Sequence, residues 1–249
     1  MADFRLVEIN NLSKAFDGNV ILDNISLDVK KGENLVVFGQ SGTGKSVLLK
    51  CIIGLITPDQ GDVSINGQLT KGLNIDELNT IRKKMGFLFQ SAALYDSMSV
   101  RENLEFPLSR HTNLSSKQRE EKVRETLRMV SLEKSIDKMP SELSGGMRKR
   151  IGLARSIITD PELMLYDEPT TGLDPITTKE ISELILNLQR KLNMTSIIVT
   201  HDIVCAKIIA DRAIFLKEGK IAYEGSIEEL TNTTDIFLEK FFSTEIIKD

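Results

Sequence analysis

The densest chemical signal in the chain is Gly39-Gln40-Ser41-Gly42-Thr43-Gly44-Lys45-Ser46, the pattern G-x-x-x-x-G-K-[ST]. Glycines at these spacings let successive backbone N–H groups curl around phosphate oxygens, and the N-terminus of a following helix adds its dipole. Lys45 then reaches the β- and γ-phosphates, and the Ser46 hydroxyl ligates Mg²⁺. Context separates this loop from a chance Gly-rich turn. The apolar run Leu35–Phe38 precedes it, and an apolar helix pattern from Val47 to Ile53, stopped by Gly54, follows. The implied ligand is a nucleoside triphosphate.

A second cluster, Leu163-Met164-Leu165-Tyr166-Asp167-Glu168, reads as an apolar strand ending in acid. Asp167 suits Mg²⁺ held through its water shell, and Glu168 is placed to polarise an attacking water as general base. Alone, Asp-Glu after a strand is a solvated turn; beside a phosphate loop it is half of a phosphoryl-transfer site. A third cluster, Leu143-Ser144-Gly145-Gly146-Met147-Arg148, opens a helix expected to run to about Ile158. Ser144, two glycine amides and a helix N-terminus make a second anion site.

With these three clusters in this order, the chain resembles the ATP-binding-cassette (ABC) ATPases, whose signature is LSGGQ, over residues 5 to about 230. The resemblance implies two cassettes paired head to tail, with Ser144, Gly145, Gly146 and Met147 of one capping the γ-phosphate on the P-loop of the other. It assigns Gln90 to a loop that touches Mg²⁺ and signals to a membrane subunit, and Asp174 to the dimer seam. It assigns His201 to γ-phosphate contact and Phe16, where the family normally has Tyr, to stacking on adenine. The other histidine, His111, matches nothing in the family and is expected at the surface. Two positions depart from the pattern. Val47 replaces a frequent hydroxyl residue, keeping a backbone N–H for the α-phosphate but losing a side-chain hydrogen bond. Met147 replaces the signature Gln.

Met147 followed by Arg148-Lys149-Arg150 is similar to the branch serving Mla- and Mce-type lipid transporters. Ala93-Leu94-Tyr95-Asp96-Ser97-Met98-Ser99-Val100-Arg101-Glu102-Asn103 resembles that branch's "ALFDSLTVxEN", and Asp96-Ser97 stands where many importers carry Pro-His. The branch implies phospholipid transport between membranes, a permease, an Mce-domain partner and a small accessory subunit. It also implies a peripheral location on the cytoplasmic face of a bacterial inner membrane. An ABC transporter ATPase for another cargo is the nearest alternative, because a cassette does not touch cargo. A non-transport ABC ATPase of translation or DNA repair would carry two cassettes or a long coiled-coil insertion, and this chain shows neither. A degenerate cassette is disfavoured by intact catalytic positions.

These residues must be positioned by alternating elements. Leu6 to Val29 alternates around Asp17-Gly18 as antiparallel strands, and a second hairpin signal lies at Gly61–Gly67. Val123, Leu127 and Val130 mark an amphipathic helix within Ser115–Leu132. Asp174-Pro175 caps and starts another helix, whose apolar face runs Ile181, Leu184, Ile185, Leu188 and Leu192. Ser196–Thr200 reads as a strand, and Ala213–Leu216 with Ile221–Tyr223 as a late hairpin. The expected fold class is α/β: a P-loop NTPase with a RecA-like core, an antiparallel β subdomain and a helical lobe inserted at about 92–160. A C-terminal extension, 231–249, follows the cassette. There Thr231 to Thr234 read as a loop ending in an N-cap, with Asp235 in the first helical turn. Ile236, Phe237, Leu238 and Phe241 either fold back on their own cassette or dock on another chain.

Composition removes the competing classes. The 249 residues hold 32 Lys+Arg against 36 Asp+Glu, a formal net charge of −4 that does not suit a general nucleic-acid binder. No apolar stretch approaches the roughly 18–20 residues of a membrane span. The N-terminus lacks the features of a signal peptide, so a soluble chain held at a membrane by another polypeptide is expected. Cys51 and Cys205 fit no metal spacing and read as buried apolar residues.

Overall fold

The structure is a computed structural model that describes residues 4–233 and 235–246. Two long strands, β1 (Arg5–Phe16) and β2 (Asn19–Lys30), pair antiparallel across Asp17-Gly18, both residues at positive φ as a tight hairpin requires. Then come β3 (Asn34–Gly39), α1 (Lys45–Ile52), and the pair β4 (Gln60–Ile65) and β5 (Gln68–Leu69), which turns at Asn66-Gly67. The strand order β2-β1-β4-β5 completes the antiparallel subdomain.

Helix α2 (Ile75–Arg82) and strand β6 (Met85–Leu88) lead to the helical lobe of α3 (Val100–His111), α4 (Ser116–Met129) and α5 (Gly145–Ile157). The chain continues through β7 (Leu163–Asp167), α6 (Pro175–Leu192), β8 (Thr195–Val199) and α7 (Ile203–Ile209). It ends with the hairpin β9 (Arg212–Lys217) and β10 (Lys220–Gly225), then α8 (Ile227–Thr231) and α9 (Ile236–Ile246). The second sheet has the order β10-β9-β3-β8-β7-β6, with every pairing parallel except that of β10 with β9. This is the α/β P-loop architecture that the motifs imply.

The period-2 alternation of the parallel strands divides the core. Leu35, Val37, Leu163, Leu165, Ile197 and Val199 face α1 and the antiparallel sheet. Val36, Phe38, Met164, Tyr166 and Ile198 face the other way, into a cluster shared with α5, α6 and α7. The helical lobe contributes Leu104, Leu108, Val123, Leu127 and Val130 to that same cluster, so it is packed onto the sheet and not tethered to it. Both cysteines are buried, and burial pushes the thiols up to about 11 for Cys51 and about 12 for Cys205. His111 is exposed.

Some elements have no counterpart in the sequence expectations. Helix α3 hides its pattern because Asn103 holds a fully buried position and Pro107 interrupts the sequence. Asn103 is tolerated there because its amide donates to Tyr95, Met98 and Ser99 carbonyls, at 3.1, 2.9 and 3.0 Å. Helix α2 buries only Ile81, and α7 has seven residues, too short for a readable period. Strand β8 begins one residue early: Thr195 is fully buried, and its Oγ1 accepts from Gly32 N at 2.8 Å.

The C-terminal segment folds back on its own cassette. Leu238 and Phe242 are buried, and the Phe242 ring lies edge-on to Phe38 at 5.4 Å. Phe237 and Phe241 approach Phe215 at 5.6 and 4.9 Å. At about 1.5–3 kcal/mol per buried apolar side chain, this placement explains the run of aromatic residues. Ile236 differs from its neighbours and is 81% exposed. Asp235 is the cap and not a first-turn residue, since its Oδ1 accepts from Phe237 N (2.9 Å) and Leu238 N (3.0 Å). The Tyr223 hydroxyl donates to the same carboxylate, and Thr234, where the cap was expected, lies outside the described residues.

Candidate active site

Strand β3 is buried along its whole length and ends at Gly39, where φ is 154°. A Cβ there would lie 2.6 Å from both Leu216 O and Thr43 Oγ1, so only glycine fits. The loop is braced internally by Thr43 Oγ1 donating to Gln40 O at 2.8 Å. Gly44, in the left-handed conformation at φ 96°, starts α1 without any side-chain cap, so the first N–H groups of the helix face the loop. The Lys45 ammonium is curled into this loop and donates to Gly39 O (2.6 Å) and Gln40 O (3.0 Å). Burial holds it below its ordinary value, against the opposing pull of Glu168 and Asp167.

Parallel pairing of β7 with β8 brings their C-terminal ends side by side, beneath the loop at the end of β3. Ser46 Oγ donates to Asp167 Oδ1 at 2.9 Å, which joins a hydroxyl and a carboxylate oxygen. Glu168 has φ 52°, a left-handed conformation uncommon outside glycine, and its N–H donates to Val199 O at 2.9 Å. Its carboxylate Oε2 accepts from Thr171 Oγ1 (3.2 Å) and lies 2.8 Å from His201 Nδ1. A cleft of about 580 Å³ runs across this array. It is lined by Phe16 and Ile21, by Ser41, Gly42 and Gly44–Val47 of the loop and helix start, and by Gln90, Glu168, Thr171 and His201.

The remaining expected residues lie elsewhere. Gln40 and Thr43 line a second cleft of about 250 Å³ between the loop, the β9–β10 turn and Phe237. Ser144, Gly145, Gly146, Met147 and Asp174 do not border the 580 Å³ cleft. Ser144 caps α5, its Oγ accepting from Met147 N at 3.3 Å. Asp174 caps α6, accepting from Thr177 N (3.0 Å) and Thr177 Oγ1 (2.6 Å), and these bonds hold its carboxyl below the usual range. These two helix starts are neighbours, because a Cβ on Gly146 would lie 2.9 Å from Thr177 Cγ2. Among the described residues, the cleft lined by the Gly39–Ser46 loop and Glu168 thus lies apart from the solvent-facing glycine helix start at Ser144–Gly146.

A sequence profile of the ABC transporter family matches residues 22–171, from β2 through the turn after β7. The chain belongs to the ABC transporter family. As such it is an ATP-binding ATPase. It is 42% identical over 240 residues to the intermembrane phospholipid transport system ATP-binding protein MlaF of Haemophilus influenzae, covering 96% of this chain and 91% of that protein. It is 37% identical over 240 residues to the methionine import ATP-binding protein MetN of Clostridium tetani, covering 96% and 75%. Among solved structures, a dimeric ATP-binding cassette in a post-hydrolysis state with ADP and Pi superimposes with a TM-score of 0.81 at 34% identity, covering 89% of this chain and 98% of that one.

Three residues of this cassette's site lie outside the sequence expectations. Ile21 and Thr171 also border the cleft, Thr171 as the neighbour that donates to Glu168 from three residues along the chain. Lys149 is different. It sits on α5 and is 7% exposed, and its Nζ donates to Gln90 O (2.5 Å) and Glu168 O (3.3 Å). It falls on the helix face of Gly152, Leu153 and Ser156, and a lysine in such a buried stripe was the readable signal. None of the described helices is long and apolar enough to cross a membrane.

Proposed function

We propose that this chain is the ATPase subunit of a transporter that moves phospholipid between membranes. In this reading it binds on the cytoplasmic face of an inner membrane to a permease, together with an Mce-domain partner and a small accessory subunit. The observation that carries the cargo reading is the 42% identity to a phospholipid-transport ATPase across nearly the whole chain. The methionine-import relative, at 37%, stands for the competing cargo class.

In the proposed mechanism, the P-loop amides of Gly39 to Ser46 and the backbone of Val47 cradle the phosphates, and Phe16, 42% exposed at the cleft edge, stacks on the adenine. Lys45 exchanges its loop carbonyls for phosphate oxygens. Ser46 and Asp167 present adjacent hard oxygens, and Gln90 borders the same cleft, a donor set that suits Mg²⁺. When bound there, Mg²⁺ would supply neutralisation of phosphate charge. Glu168 takes the proton of the attacking water, and His201, 2.8 Å from its carboxylate, orients the γ-phosphate. Ser144, Gly145, Gly146 and Met147 of a second copy cover the γ-phosphate from outside, with Asp174 at the seam. Their separation from the cleft and the dimeric form of the structural relative support that arrangement.

The test is reconstitution of the chain with its co-purifying permease in vesicles loaded with labelled phospholipid or labelled methionine. ATP-dependent phospholipid transfer, abolished by Glu168→Gln, is expected. ATP-dependent methionine movement without lipid transfer would overturn the cargo reading.

A further inference from the structure

Three contacts tie helix α5 to the loop after β6, two by side-chain hydrogen bonds to loop carbonyls and one by close packing. Arg155 donates through Nη1 to Ala93 O (2.7 Å) and through Nη2 to Ala92 O (3.2 Å), residues that both adopt positive φ. Gly152 lets the loop close on the helix, since a Cβ there would lie 2.7 Å from the Ala92 Cβ. Lys149, one turn nearer the Ser144 cap, donates to Gln90 O. The glycine helix start and the Gln90 loop are therefore braced as one piece.

Of these three, Lys149 is the one that also bonds the chain after β7, through Glu168 O. The other backbone group of Glu168 is held by Val199, so its left-handed conformation is fixed from both sides. A lysine ammonium has three N–H donors and loses solvation on burial, so a site with two carbonyl acceptors holds it firmly. We propose that Lys149 is a positioning residue for hydrolysis: it holds the Glu168 backbone so that the carboxylate is aimed, and makes that aim depend on the seating of the signature helix. This rests on the reading of Glu168 as the base. A chain whose α5 is not seated would bind ATP and hydrolyse it slowly.

The full-length chain tests this through Lys149→Met, which keeps length and removes the donors, and Lys149→Arg, which restores them. The Met variant should lose about 10–100-fold in kcat with ATP affinity within about twofold of the parent, as expected for misaimed chemistry with intact binding. The Arg variant should regain most of the loss, and Lys149→Met should add nothing in a Glu168→Gln background. If the Met variant melts early, Lys149→Gln, one bond shorter and so unable to span both carbonyls, should show the same split between kcat and affinity. An unchanged kcat would overturn the proposal, as would a parallel loss of affinity that arginine does not rescue. Turnover persisting in Glu168→Gln alone would instead remove the base reading on which the route depends.

Discussion

The cassette has two glycine-bearing helix starts, and they are built differently. At α1, Gly44 supplies no side-chain cap, Lys45 is tucked into the loop, and the acids at the end of β7 lie opposite. At α5, Ser144 caps its own helix, Gly145 faces solvent, and neither lines the phosphate cleft. The first has its phosphate-binding and acidic groups assembled within one chain. On the proposed reading, the second is a donor surface for the nucleotide of another copy. A single chain would then bind nucleotide well before it can hydrolyse it, and the difference locates where assembly should control turnover.

The sharpest break comes from the first end. Glu168→Gln preserves shape but removes the proton acceptor, and steady-state ATPase activity should fall by about 10²–10⁴-fold with ATP still bound. A colorimetric phosphate assay beside titration calorimetry checks both halves. Lys45→Ala should act on affinity instead. Loss of a charge-assisted phosphate contact predicts an ATP Kd raised about 10–100-fold by calorimetry.

The second end should separate the two quantities the other way. Ser144→Arg places a long side chain on the donor surface, so turnover should drop by roughly 10–100-fold while the Kd for ATP stays within twofold. An affinity loss equal to the turnover loss would show that this end serves its own chain's nucleotide. ATPase activity of the parent should also rise faster than linearly with protein concentration.

The smallest effects on turnover and ATP affinity belong to the C-terminal helix, whose changes should show in stability instead and which supports the first end through Phe38, the residue before Gly39. Phe242→Ala should cost roughly 3–5 kcal/mol of stability, visible as a lower melting temperature at about 2–4 °C per kcal/mol. Asp235 works through pH. Its carboxyl is held below the usual range by the Tyr223 hydroxyl and by its helix N–H bonds. A lowered folded value means that its contribution is present above about pH 4 and is lost as pH falls through that value. Asp235→Asn should therefore melt slightly below the parent at pH 7, with the gap narrowing in calorimetry as pH falls below about 4.

Motif residues were legible because their chemistry is local. A loop that wraps phosphate needs glycines at fixed spacing between a strand and a helix, so Gly39 to Ser46 announce themselves without a fold. Asp167, Glu168 and His201 were legible by their order along the chain, though nothing in that order gives the 2.8 Å contact between Glu168 and His201. Helices α2 and α7 were silent because one buries a single apolar residue and the other is two turns long. Helix α3 was silent because a buried asparagine took an apolar position, a choice that only its hydrogen bonds explain.

The division follows from how each interaction is specified. Short-range requirements, such as the backbone curl of the phosphate loop, the Asp174-Pro175 helix start and the apolar run of β3, are written in neighbouring residues, and the sequence by itself determined them. The Ser46–Asp167 bond spans 121 residues, and the Lys149–Gln90 bond 59. Such pairings depend on which strands lie adjacent and on which helix face turns inward, and these are set by packing of the whole core. That packing also resolved the tail. Its aromatic residues suited a surface on either chain, and in the tertiary structure they pack on their own sheet, where Phe38 and Phe215 form T-shaped ring pairs with them.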